Sequence, residues 1–283
     1  MKYYHVIYNS SQKGLNGSNG FGIRTATEGT PREYLDAIVK GVADNKFANV
    51  VTNCNVPLPQ ELMETEGKAI LRVPPRYFFQ TLDVIGGRKL YTLGRNIYVG
   101  FTETFYYKDK EGNILGKSGR MGTYLIDMYI FEECPSKEVF DILYEQPAKD
   151  EYGKDCNSFV PKDPSPFRDN FEMANLTTGD PVMLEPEERK FTSIVNTFSP
   201  KVIDLLLAIM DAKLSNCQLF VKYPWQQTHQ LIADAFRFLP DNNISELSFS
   251  TNYTGNGFNA TANVLFINEY YKAQFIGRAC WQI

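Results

Sequence analysis

Cys217-Gln218-Leu219-Phe220-Val221-Lys222, then Trp225 to Leu239, then Leu247-Ser248-Phe249-Ser250-Thr251 decide the fold. The first and third runs are short and rich in β-branched and aromatic residues, which marks strands. The middle run is long enough for a helix and stops before Pro240, which cannot continue one. Ala262–Ile267 and Gln274–Trp281 read as two further strands. Upstream, Phe191, Ile194, Val195 and Phe198 mark one amphipathic helical face, and Ser199-Pro200 opens another helix. Apolar residues surround that second helix, so it is expected to be buried. The order helix, helix, strand, helix, strand, strand, strand lacks regular βα alternation, so the class is α+β, and the C-terminal strands are expected to be antiparallel.

Toward the N-terminus the pattern turns to β. Lys2-Tyr3-Tyr4-His5-Val6-Ile7-Tyr8 reads as a strand, followed by a glycine-rich loop (Gly14, Gly17, Gly20, Gly22) that leads into Phe21–Ala26. Thr30 as N-cap, Pro31 at the first helical position and Glu33 as capping-box partner predict a helix, with Tyr34, Ala37, Ile38 and Val42 on its apolar face. Ala69–Val73, Tyr77–Val84, Lys89–Leu93, Thr102–Lys108 and Gly122–Glu132 follow as strands, and a short helix from Ser136 carries Val139, Phe140 and Leu143. From Gln146 to Pro181 periodicity fades. The reading is therefore a β-rich N-terminal lobe with one or two helices (1–145), a connecting segment (146–183) and a C-terminal α+β lobe (184–283), with one shared core allowed.

A chain of 283 residues is long enough for either one large core or two lobes. The net charge of −4, without a Lys/Arg run, argues against a nucleic-acid or anionic-membrane partner. There is no signal-peptide core and no apolar run of the ~20 residues needed to span a bilayer. The five cysteines are widely spaced and odd in number, which disfavours a disulfide framework or zinc site and suits a cytoplasmic setting. Neither a metal nor a cofactor is expected. The chain ends just after the strand-like Ala279-Cys280-Trp281, which suits one part of a longer protein.

Several motifs invite a chemical reading. The glycine loop could offer backbone amides to a phosphate, but it lacks dinucleotide-binding spacing and opens into a strand. Gly112 to Ser118 imitates a phosphate loop with its first glycine one residue too close, and it reads as a hairpin. Only two histidines exist, His5 and His229, so a triad or His-rich metal site has few builders. Packing or surface hydrogen bonding is the plainer role for each. Asp127 sits inside an apolar strand entered from Arg120, and a buried charge needs a partner. Arg24, Arg95 or Arg120 can reach it, as a structural ion pair or as part of a ligand-recognition cluster. Gly20, Gly22, Arg24, Arg120 and Asp127 are accordingly the candidate ligand-binding residues, with no catalytic set.

Three stretches, in order, carry a family resemblance. They are Tyr8–Gly22 running on to Arg24-Thr25-Ala26-Thr27-Glu28-Gly29-Thr30-Pro31, then Gly119-Arg120-Met121-Gly122-Thr123-Tyr124-Leu125, then Leu239-Pro240 with Leu247–Thr251. Together they resemble the N-terminal domain, in its second type, of bacterial GTPase-associated proteins. The resemblance implies a non-enzymatic adaptor encoded beside a small Ras-like GTPase in a conflict or defence system. Its expected partner is that GTPase or another protein of the same operon. This chain has Asp127 where the family pattern often has a histidine, which puts any site built on that histidine in doubt. Two rival functions stand beside the adaptor reading. One is a sensor of phosphate-bearing ligands or nucleotides that uses the glycine loop with Arg24 and Arg120. The other is a hydrolase that sets His5 against Ser250, Thr251 or Cys54.

Overall fold

The computed structural model describes residues 2–11, 14–15, 20–44, 46–47, 76–84, 86–100, 105–108, 114–118, 123–144, 182–184, 199–253, 262–267 and 280–282. Ala69–Val73, the 146–181 segment and the helical face at 191–198 lie outside them. The architecture is α+β. Its strands are β1 (Tyr4–Ser11), β2 (Gly20–Thr27), β3 (Arg76–Asp83), β4 (Lys89–Gly100), β5 (Phe105–Lys108), β6 (Ile114–Ser118), β7 (Thr123–Phe131), β8 (Val182–Leu184), β9 (Leu219–Lys222), β10 (Phe249–Tyr253), β11 (Val264–Ile267) and β12 (Cys280–Gln282). Among the described residues the helices are α1 (Arg32–Ala43), α2 (Pro200–Leu214), α3 (Trp225–Phe238) and the single turn α4 (Asp241–Ile244), with a 3₁₀ helix at Lys137–Tyr144.

Ten strands form one sheet in the order β12-β9-β11-β10-β3-β4-β7-β1-β2-β8. Strands from both expected lobes therefore run in a single sheet, joined where β10 pairs antiparallel with β3. The middle of the sheet, β3-β4-β7-β1-β2, is antiparallel. The C-terminal strands correct the expectation: β10–β11, β11–β9 and β9–β12 all pair parallel. The reason is the crossover, because α3 carries the chain from β9 back to the same end of the sheet before β10 begins. The pair β5–β6 is a separate antiparallel hairpin, as expected for the Gly112–Ser118 stretch.

The two faces of the sheet have separate cores. Odd-numbered residues of β3, β4 and β7 (Tyr77, Phe79, Leu93, Tyr129, Phe131) pack with Val139, Phe140 and Leu143 of the 3₁₀ helix, Val202 and Leu205 of α2, and Leu231, Ile232 and Phe236 of α3. Phe79, Phe140, Phe236 and Phe249 form a connected ring cluster there, with centroids 4.6 to 6.4 Å apart. Even-numbered residues (Val6, Phe78, Leu82, Ile126, Met128, Ile130) pack against Tyr34, Ala37 and Ile38 of α1. The period of two along each strand makes this division.

Local capping departs from the sequence pattern at α1. Pro31 is the N-cap residue and makes no side-chain cap bond, while the Thr30 hydroxyl donates to the Thr27 carbonyl at 2.6 Å. Glu33 pairs with Arg88 rather than closing a capping box. Ser199 does cap α2, its hydroxyl accepting from the Val202 N–H at 3.4 Å. Burial of α2 is the larger correction. Only the face carrying Val202, Leu205, Ala208 and Ile209 is buried, because the sheet covers one side of the helix alone.

Candidate functional site

Register brings the charged residues together. Asp127 on β7 lies opposite Ile7 of β1 and Arg95 of β4, and Arg95 lies opposite Tyr77 of β3. Residues opposite one another share a face, so this row runs across the side of the sheet covered by α2 and α3. His5 stands two residues from Ile7 on the same face, diagonal to Asp127 and within side-chain reach. Its Nε2 lies 2.6 Å from Asp127 Oδ1. Asp127 Oδ2 lies 3.9 Å from Arg95 Nε, an ion-pair distance too long for a hydrogen bond. The Asp127 side chain is 0% exposed, that of Arg95 3% and that of His5 12%, so the cluster opens outward only at the imidazole.

The helix side completes it. His229 of α3 stacks on Tyr77, ring centroids 5.3 Å apart. Burial pushes the His229 imidazole down to about 4, and the Arg95 charge adds to the effect. The Tyr77 backbone N–H donates to Thr251 Oγ1 at 2.8 Å, tying β3 to β10. On the opposite face Arg76, facing Asn96 across the β3–β4 pair, is pushed down to about 10 by burial.

A bulge places Arg24. Between Ile7↔Thr25 and Tyr8↔Ile23 the register shifts, leaving Arg24 as the extra residue of β2. Ile23 and Ala26 both belong to the α1-side core although three residues apart. The bulge thus turns Arg24 and Thr25, both buried, toward the face that holds Asp127. One strand separates Arg24 from Asp127, ~10 Å between backbones.

Close backbone contact locks the centre of the row. Gly94 of β4 has no room for a side chain: a Cβ there would sit 2.4 Å from the Asp127 carbonyl oxygen and 2.7 Å from Met128 Cβ. Nothing in the sequence singled out Gly94, because its role depends on β7, some thirty positions away in the chain.

Of the candidate residues, Arg24 and Asp127 share one face, and Arg95 is the arginine that reaches the carboxylate. Gly20 and Gly22 are strand residues of β2, opposite Ser11 and Asn9, flanking Phe21, whose ring stacks on Tyr8 at 6.4 Å. Arg120 lies outside the described residues, as does Cys54. The hydrolase reading fails for Ser250 and Thr251. Four strand spacings, ~19 Å, separate β10 from β1. Ser250, paired with Phe78, also faces the other side of the sheet from His5. Among the described residues no group of three His, Cys, Asp or Glu is placed to hold a metal, and no helix is long and apolar enough to cross a membrane. Asp127 is enclosed by His5 and Arg95, with no described nucleophile beside them. The cluster links β1, β4 and β7.

A second feature lies on the outside of α2. Ile203, Leu207, Met210 and Leu214 are 38%, 59%, 53% and 86% exposed and line up along the side opposite Val202, Leu205, Ala208 and Ile209. Four large exposed apolar side chains thus stand in one stripe on a single helix face, unlike singly scattered surface apolar residues. In comparisons with known proteins, no protein-family model, curated protein or solved structure matches the chain.

Proposed function

We propose that this chain is a non-enzymatic interaction module that docks a protein partner on the outer face of α2. The observation that carries this reading is the exposed stripe Ile203–Leu207–Met210–Leu214 on a helix whose other face is firmly held in the core. Exposed apolar side chains on a rigid, well-anchored helix bind a partner with little ordering cost. The partner class rests on the three stretches that resemble GTPase-associated proteins: a small Ras-like GTPase of a bacterial conflict or defence system, or another product of the same operon. The test is a titration of the purified protein with the GTPases encoded beside it. Binding at micromolar concentrations that Leu207→Asp removes is expected; absence of binding to every such product refutes the assignment.

A further inference from the structure

The spacing of the α2 stripe specifies what fits it, an inference that rests on the interaction reading above. Ile203, Leu207, Met210 and Leu214 recur at intervals of four, three and four, the d-a-d-a seam of two heptads. The seam covers ~16 Å of helix, three turns, which matches a partner helix laid alongside. In that frame Asp204 and Asp211 occupy the flanking e positions, both exposed and neither in an ion pair among the described residues. The opposite flank is Leu206, packed on the core, and Lys213. Lys213 is already engaged, its ammonium 2.6 Å from Glu246 and 2.9 Å from Asn243. Among the described residues, therefore, one rim of the seam carries two unpaired acids, and the charge on the other is engaged.

We infer that the occupant is an amphipathic helix of another protein whose apolar seam is bordered by lysine or arginine on the side meeting Asp204 and Asp211. A second copy of this chain fits poorly. Antiparallel pairing would bring the e flanks together and set Asp204 and Asp211 against their equivalents, and like charges across a seam repel. Parallel pairing would set Asp211 against Leu206 of the copy, with no counter-charge. A basic flank satisfies the rim in either orientation of a foreign helix.

Two synthetic helical peptides test this, each about 21 residues long so that a helix can form. Both carry Leu and Ile at a and d; one has Lys/Arg at e and g, the other Glu. Fluorescence anisotropy is read against the full chain, Leu207→Asp and the pair Asp204→Lys with Asp211→Lys. The wild type is expected to bind the basic peptide at micromolar concentration, at least tenfold better than the acidic one. The double lysine variant should invert that preference, and Leu207→Asp should abolish binding of both. Equal binding of the two peptides, preference for the acidic one, or binding of neither overturns the inference. So does a dimer in sedimentation that Leu207→Asp dissolves, which would make a second copy the occupant. If the peptide preference is absent but a neighbouring GTPase still loses binding to Leu207→Asp, the partner chemistry falls while the interaction reading stands. If Leu207→Asp alters no binding at all, both fall.

Discussion

His229 gives the fold a measurable acid sensitivity of known sign. Its folded pKa, about 4, lies below the ordinary 6.5 because the ring is buried against Tyr77 and faces the Arg95 charge. Between those two values the unfolded chain holds a proton that the folded chain does not. Stability therefore rises with pH across this window; the contribution is complete above 6.5 and lost as pH falls toward 4. The limiting size is about 3 kcal/mol, and between pH 7 and pH 5 alone about 2 kcal/mol is lost. The perturbation is His229→Gln, which keeps a polar, similarly sized group on α3 but removes the titration. Urea denaturation of both proteins at pH 7 and pH 5 is the assay, compared as a difference of differences so that shared carboxylate effects cancel. The wild type should lose about 2 kcal/mol more than the variant on acidification. Equal losses would refute the burial of a neutral His229 against Arg95.

Other consequences are separable. Asp127→Ala leaves Arg95 buried beside an empty position and His5 without its acceptor, so a loss of about 3–5 kcal/mol is expected in chemical denaturation. Gly94→Ala must push β4 from β7, because the Asp127 carbonyl lies 2.4 Å from the new Cβ. It should cost ~3 kcal/mol or more, against ~1 kcal/mol for Gly86→Ala, which has open space and only a positive φ to strain it. On α2 the two faces should behave oppositely. Leu205→Ala, in the core, should lower stability by ~2–5 kcal/mol, while Leu207→Asp on the exposed face should change it by less than ~1 kcal/mol.

Much of the secondary structure was legible because single elements carry their own pattern. The aromatic and β-branched run at Tyr77–Val84 became β3, and Tyr34, Ala37 and Ile38 became the buried face of α1. Asp127 was legible as a charge needing a partner, since its neighbours in the strand are apolar. That His5 supplies one side of its shell was not, because 122 residues separate them and only the β1–β7 register joins them. The direction of the C-terminal strands was hidden for a similar reason: a strand's residues do not record which end the connecting helix returns to. The outer face of α2 was misread as buried. Apolar residues on both sides of a helix look the same in sequence, and only the position of the sheet distinguishes the side that is covered.

The central claim is that the outer face of α2 is a working surface, and one titration tests it most directly. The proposed partner, a small Ras-like GTPase, is titrated against wild type, against Leu207→Asp/Met210→Asp, and against Val39→Asp. Val39 is an exposed apolar residue of α1, the helix that packs on the other face of the sheet, so it controls for surface hydrophobicity alone. Loss of central apolar anchors at an interface costs ~2–4 kcal/mol, so the α2 variant should bind at least about 30-fold more weakly while Val39→Asp binds like wild type. Unchanged affinity in the α2 variant, with the protein still folded, would contradict the account.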